Sequence, residues 1–295
     1  LKRLGQQPKQ WETPDIPKIE VNMEMRKWTI GNYNELDEFY NIIVRMIPKH
    51  IPVAYLEGYN SLVQHIEHLS WPKKPKCIFN SNGIQAFDLL KAWVAKKTEN
   101  GASLIIGQHG GHYGIGKWNW FEEHEISISD NYLSWGWSKQ EQPKVHRIGQ
   151  IKMIKPLVGV THQKETGLLL VTNANSRYSF HAAYSGTQSS QWLDYLDDQF
   201  SFINSLPKRL QDLLTVRLFP HDYGWEQEKR WNNRFPDLTL DLGKNDINGL
   251  IAKSRIYIST YNAGTYLQAF TMNIPTVIFW NLKHWEIRDS SKPLL

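Results

Sequence analysis

Cysteine is nearly missing from this chain: Cys77 is the single one in 295 residues. That excludes a disulfide framework and fits a reducing compartment. Lying in Lys76-Cys77-Ile78-Phe79, it reads as a buried structural thiol. Long apolar runs are also lacking, since none approaches the roughly 18 residues of a transmembrane helix, and the N-terminus shows no signal peptide. No block of five like charges occurs. The net charge of +5 and pI of about 9.0 are a mild basic bias that suits an anionic ligand or a membrane surface, not specifically nucleic acid. Neither a Walker A loop nor a G-x-G-x-x-G turn opening a helix is present. The chain starts at Leu1 rather than Met and stops on Lys292-Pro293-Leu294-Leu295, so both ends are expected to be truncated.

What is present is globular: 41% hydrophobic and 21% charged residues, enough for one large or two ordinary domains. Thirteen tryptophans are more than this length normally carries; most are expected in the core, some stacking on sugar rings. The first stretch, 1–30, is proline-rich and reads as an extended arm or upstream remnant. Helical stripes follow at Leu36, Phe39, Tyr40, Ile43 and Ile47, and at Leu56, Tyr59, Val63, Ile66 and Leu69, the latter with Pro52 in its first turn. From Cys77 an alternation sets in, with strand 77–79, helix 84–97, a stop at Asn100-Gly101 and strand 103–106, a βαβ unit. A polar, proline-broken linker is expected from Trp137 to Glu165. The alternation then resumes with strands at 168–172, 216–219, 238–240, 256–258 and 275–279. Helices are expected at 190–206, 207–214, 222–233, 247–254 and 264–272. The fold class is therefore α/β, two Rossmann-like domains facing a cleft, with 31–150 as the N-terminal domain and 151–295 as the C-terminal one.

The densest chemistry lies just past the strand 104–106. Gln108-His109-Gly110-Gly111-His112-Tyr113-Gly114 combines imidazoles with glycines that let backbone amides approach a ligand. Loops at the carboxyl ends of strands are where α/β sheets bind ligands. Glu122, Glu123 and Glu125 follow, then a run read as a second strand, Ile126-Ser127-Ile128-Ser129. In the second half, Ser259-Thr260-Tyr261-Asn262-Ala263-Gly264-Thr265 joins a strand to a helix start, which suits a phosphate. Arg217, Asp222, Tyr223 and Arg177 follow other strands on the same rim.

Several of these stretches together resemble one bacterial family. They are Gln108 to Gly114, Glu122-x-x-Glu125, Ser129-Asp130-x-Tyr132-x-x-Trp135-Gly136-Trp137, Asp222-Tyr223-Gly224-Trp225, Ser259 to Thr265, Asn273-Ile274-Pro275-Thr276 and Phe279-Trp280. The family comprises transferases of surface-polysaccharide and lipopolysaccharide loci. It is itself similar to capsule sugar transferases and teichoic-acid glycerophosphotransferases of the GT-B type. The resemblance implies a GT-B-like fold, an acceptor-side N-terminal domain and a nucleotide-activated donor held by the C-terminal domain. It also implies a carbohydrate or lipid-linked acceptor. One departure stands out. GT-B enzymes commonly place a Glu on the helix after the last donor loop, to hold ribose hydroxyls, and Gln268 occupies that place here.

On this reading His109 is the base and Glu122 or Glu125 orients it or binds the acceptor. Donor-binding candidates are Gln108, Gly110, Gly111, Tyr113, Arg177, Arg217, Asp222, Tyr223, Thr260, Asn262, Gly264, Thr265 and Gln268. No Asp-x-Asp stands at a strand end, so neither a metal nor a cofactor is expected beyond the nucleotide donor itself. A cytoplasmic location with peripheral contact to the inner face of the membrane follows, without nucleic acid. Two rivals remain: a metal-dependent hydrolase on His109-x-x-His112 with Glu122 or His124, and a non-catalytic carbohydrate- or nucleotide-binding relative.

Overall fold

A computed structural model of the chain describes residues 18–31, 37–139, 141–150, 167–178 and 186–294. The expectations for 1–17 and for the linker over 151–166 lie outside them. The chain divides into two compact units, Leu1–Ile105 and Ile106–Leu295.

In the first unit, helix α1 spans Glu38–His50, and Asp37 caps it by accepting a hydrogen bond from the Tyr40 amide. Of its expected apolar stripe, Leu36 lies outside the described residues, and Phe39, Tyr40, Ile43 and Ile47 are on the helix but exposed. Pro52 precedes a 3-10 turn, Val53–Tyr55. Helix α2 starts only at Tyr59 and runs Tyr59–His68, burying Leu62 and Ile66. Strand β1 is Cys77–Asn80. Strand alternation turns Ile78 inward and leaves Cys77 exposed, so the thiol is not the buried one expected. Helix α3, Asp88–Glu99, buries Leu89, Leu90, Trp93 and Val94. It stops where Gly101 takes a φ of +90°, a conformation glycine adopts without strain. Strand β2, Ser103–Gly107, follows.

The second unit begins inside β2. Helix α4, Trp120–Ile128, is capped by Asn119, whose side chain accepts from the Glu122 amide. This corrects the strand expected at 126–129. Glu122, Glu125 and Ile126 are buried on one helical face while Ile128 is exposed, so the helical period overrides the short Ile-Ser-Ile-Ser alternation. Strand β3 is Asn131–Ser134. Strand β4, Val145–Arg147, lies inside the stretch expected to be a linker and pairs with β3 in parallel, Tyr132 against Val145. The first sheet has the order β1-β2-β3-β4.

The second sheet is parallel throughout. It comprises β5 (Leu168–Val171), β6 (Leu214–Arg217), β7 (Thr239–Asp241), β8 (Ile256–Ser259) and β9 (Thr276–Ile278), in the order β7-β6-β5-β8-β9. Helices α5 (Trp192–Ser205), α6 (Lys208–Gln211), α7 (Gln227–Arg234), α8 (Ile247–Lys253) and α9 (Gly264–Thr271) alternate with them. Strand β6 begins two residues before the expected start, and α7 begins late. Asp222 accepts the amides of Glu226 and Gln227, and Tyr223 and Glu226 are left-handed, so 222–226 is a turn. All four residues of β5 are buried and split by parity. Leu168 and Leu170 pack with Trp192, Tyr195, Trp225 and Trp231, whereas Leu169 and Val171 pack with Ile251, Tyr266, Ala269 and Met272. A strand buried on both faces is what a central parallel strand requires. The strand order reverses between β5 and β8, and in such sheets the crevice outside the carboxyl ends at that point takes the ligand.

One buried ion pair fixes the start of the first unit. The Arg26 Nε and Nη2 donate to the two Glu57 oxygens at 2.6 and 2.7 Å, and Nη1 donates to the carbonyls of Pro48, Lys49 and Ile51. The Arg26 hydrogen bonds hold the Glu57 carboxyl at about 2, below its ordinary 4.5. A depressed carboxyl contributes stability that is complete above its unfolded pKa and lost as pH falls through the folded one. Glu57→Gln should therefore lower the denaturant midpoint at pH 7, and its gap from wild type should close between pH 4.5 and 2. A gap that persists at pH 2 would show that the pair contributes by packing and not by charge.

Candidate active site

The Gly-rich loop after β2 and the loop after β8 meet. A Cβ on Gly111 would collide with the Ala263 carbonyl and the Gly264 nitrogen, so only glycine permits this approach. The loop is held from the other side by Glu122, fully buried on α4. Glu122 Oε2 accepts from the Gly114 amide at 2.7 Å, and its Oε1 meets Arg288 at 2.7 Å and Lys139 at 2.9 Å. Neither cation was singled out from the sequence, because nothing local marks a partner 166 residues away.

Gln108 is buried and structural in its contacts. Its Oε1 accepts from the Trp135 amide and the Trp137 indole, and its Nε2 donates to the Gly110 carbonyl. His109 keeps part of its ring exposed, with Nδ1 3.7 Å from Glu125 Oε1. The Tyr113 hydroxyl lies 3.2 Å from His109 Nδ1 and donates to Glu125 Oε1 at 3.2 Å. Tyr132 donates to the other Glu125 oxygen at 3.5 Å; burial and the nearby Glu125 push its phenol far above the usual range. Imidazole, buried carboxylate and two phenols thus form one cluster, of which Tyr132 entered the sequence reading only as part of a motif.

His112 belongs to a different network. Burial lowers its pKa, which keeps the ring neutral at pH 7. Its Nε2 meets the Trp118 carbonyl at 3.0 Å, and Nδ1 faces Asn262 Nδ2 at 3.4 Å. A carbonyl only accepts, so the proton sits on Nε2 and Nδ1 takes the Asn262 amide hydrogen. The Asn262 oxygen accepts from the Tyr266 hydroxyl at 3.0 Å. His109 and His112 therefore have separate partners. Among the described residues there is no group of three or more His, Cys, Asp or Glu that could hold a metal.

The remaining candidates divide. Thr260 is buried and donates to the Val171 carbonyl at 2.8 Å, bridging β8 to β5 beside Tyr195. Thr265 Oγ1 accepts from Tyr257 at 2.7 Å. Helix α9 starts without a side-chain cap, so Gly264 and Thr265 carry amide donors at its first turn. Gln268 is buried, and its Oε1 has no partner among the described residues. Arg217 pairs with Asp241 and donates to the Asn245 carbonyl at 2.8 Å. Arg177 lies over the Trp225 ring at 5.5 Å and donates to the Gly224 carbonyl. Asp222 is exposed; desolvation raises its pKa, but the amides of Gln227, Glu226, Gly224 and Trp225 outweigh that and hold the carboxyl below its ordinary value. Tyr223 is left-handed at φ 54° and exposed.

A doubly wound parallel sheet whose switch-point loop seats against the Gly-rich loop that carries His109 defines an α/β protein with an enzyme-like site. The chain belongs to the LIC12162 family of transferases, whose family model matches residues 1–295. No curated protein matches it. Among solved structures, the pneumococcal O-GlcNAc transferase GtfA, crystallised with UDP and GlcNAc, is similar at 14% identity and a TM-score of 0.46. That likeness covers 74% of this chain and 44% of the other, so the chain spans less than half of that protein.

Removing one partner of a buried ion group costs about 3–5 kcal/mol, because the remaining charge is left uncompensated. Glu122→Gln should destabilise the second unit by about that much and expose the 109–114 loop to proteolysis. Arg288→Met in the same chain should recover part of the loss. Denaturation curves in which Glu122→Gln matches wild type would remove Glu122 as the anchor of the loop.

Proposed function

We propose that the protein moves a sugar, or a polyol phosphate, from a nucleotide-activated donor to a carbohydrate or lipid-linked acceptor. The setting proposed is bacterial surface-polysaccharide or lipopolysaccharide assembly. The observation that carries this reading is the seating of Gly111 against Ala263 and Gly264, which sets the His109–Glu125 pair and the start of α9 on adjoining loops. In sugar transfer the acceptor hydroxyl attacks the anomeric carbon and the nucleotide leaves with the C–O bonding pair; in polyol-phosphate transfer it attacks the phosphorus and the nucleoside monophosphate leaves with the P–O pair; in both, His109 takes the hydroxyl proton. Glu125, facing Nδ1, stabilises the imidazolium while Nε2 receives the proton. Departing phosphate charge is taken by the amides at the start of α9. The side chains of Asn262, Thr260 and Arg217 are engaged internally, and they support that role by fixing the backbone. Gln268 is proposed at the ribose, where its unpartnered oxygen accepts a hydroxyl.

The proposal keeps a GT-B-like arrangement, with acceptor chemistry on 31–150 and the donor on 151–295. The second compact unit starts at Ile106, so the acceptor-side loop shares a unit with the donor loops. No divalent cation takes part. No helix among the described residues is long and apolar enough to cross a membrane. The proposed location is cytoplasmic, with salt-sensitive attachment of the basic surface to the inner face of the membrane.

The test is transfer activity after a binding screen against CMP, CDP, UDP and GDP. His109→Ala should lower kcat by about 10²–10⁴-fold while donor binding holds. Glu125→Gln should lower kcat and move the acidic limb of the pH profile, the one set by protonation of the base, to lower pH. Unchanged turnover in His109→Ala would remove that residue as the base. Binding of donor without turnover in wild type would favour the non-catalytic reading.

A further inference from the structure

A cavity of about 310 Å³ opens beside the Gly-rich loop, lined among others by His112, Trp118, Trp120, Gln191, Trp285 and Glu286. We propose that this cavity binds a single pyranose ring of a saccharide, with Trp118 and Trp120 as its stacking walls. The inference stands without the transfer chemistry: neither His109 nor Glu125 lines the cavity.

Two large indoles, Trp118 at 59% and Trp120 at 64% exposure, are left in water at the edge of this concavity. Exposed aromatic surface grouped beside a cavity marks a binding site more than a packing defect. Trp118 is a fixed platform. Its Nε1 donates to Glu286 Oε2 at 3.1 Å, its carbonyl accepts from His112, and Lys117 lies over the ring while pairing with Glu286 at 3.1 Å. A ring already held in place loses little freedom when a ligand stacks on it.

The polar groups are also set in advance. Gln188 and Gln191 form a reciprocal capping box that uses their side-chain oxygens, and so orients the Gln191 amide nitrogen as a donor. Two further lining residues, His284 and Trp285, are buried and carry an Nδ1 and an Nε1 without partners among the described residues. Such atoms need a hydrogen-bonding guest. Burial keeps His112 neutral, so the inner wall carries no charge there. Flat apolar walls with amide and ring-nitrogen edges match a pyranose, which has apolar C–H faces and an equator of hydroxyls. Small-molecule pockets run from about 300 to 1,000 Å³; this one is at the lower end, which fits one ring and is too small for a whole nucleotide-sugar.

The test titrates the full chain with the methyl glycosides of glucose, galactose and N-acetylglucosamine, read by saturation-transfer NMR and by indole fluorescence, without any donor. At least one glycoside should bind saturably. Trp118→Ala and Trp120→Ala should each weaken it by about tenfold, with unchanged thermal unfolding because both side chains are exposed. Trp118→Phe should recover most of the loss, Gln191→Ala should weaken binding, and UDP should not compete. The proposal is overturned if no glycoside saturates, or if both Trp→Ala variants bind as wild type does. It is equally overturned if those variants lose only association with phosphatidylglycerol vesicles, which would make the indoles a membrane contact. Failure of the transfer reading would appear as unchanged turnover in His109→Ala and would leave this titration untouched.

Discussion

The second unit depends on one buried carboxylate. Glu122 gathers an amide from the Gly-rich loop, Lys139 from the segment after β3, and Arg288 from the C-terminal stretch. Around that anchor the backbones run together. Lys117 donates to the Glu286 carbonyl, Gly116 bridges Ile287 in antiparallel fashion, and Arg288 donates to the Ile115 carbonyl. Gly114 takes a φ of +75° to aim its amide at Glu122, and a side chain there would strike Trp137. Buried ion groups are weak sources of net stability, because desolvation offsets attraction. What this one supplies is register: it permits one placement of the loop, and the placement decides which way each imidazole faces.

With the loop fixed, its two histidines enter separate networks. His109 turns to Glu125, Tyr113 and Tyr132, while His112 closes a directional chain. Tyr266 donates to Asn262, Asn262 to His112, and His112 to the Trp118 carbonyl. The chain starts on α9, beside the loop after β8, and ends at the tryptophan at the edge of the cavity. Each link has a single sensible proton assignment once His112 is neutral, so the relay is rigid rather than switchable. Hydrogen-bonded networks of this kind specify a unique arrangement when all members are satisfied.

The second half was legible because its physics is local. A central strand buried on both faces, as β5 is, reads as a short apolar run, and five short runs alternating with helical stretches leave few topologies. The region 120–134 was not legible. Ile126-Ser127-Ile128-Ser129 alternates like a strand, but the face that is buried includes Glu122 and Glu125, and hydropathy assigns carboxylates to solvent. Their burial depends on Arg288, Lys139, Tyr113 and Tyr132, none of which is a sequence neighbour. Cys77 was misjudged for a related reason: its strand is too short for pattern alone to fix which parity faces in. The tryptophans of the cavity carried a signal in Trp118-Asn119-Trp120, two indoles around a helix cap, but the spacing does not reveal that both stay exposed.

The loop after β8 shows why residue types at a strand end overstate ligand contacts. Short hydroxyl and amide side chains bond whichever partner is nearest, and in a buried loop that partner is backbone. Thr260 reaches across to Val171, Thr265 takes the Tyr257 hydroxyl, and Asn262 is spent between Tyr266 and His112. These bonds hold the first turn of α9, which no side chain caps. A ligand arriving there would meet backbone amides aimed by buried side chains, not the side chains themselves. Backbone amides read charge and leave the identity of the group to other contacts. Discrimination then falls, on the proposed donor side, to Gln268 and, on the proposed saccharide side, to the cavity with His284 and Trp285, whose polar atoms are among those without partners among the described residues.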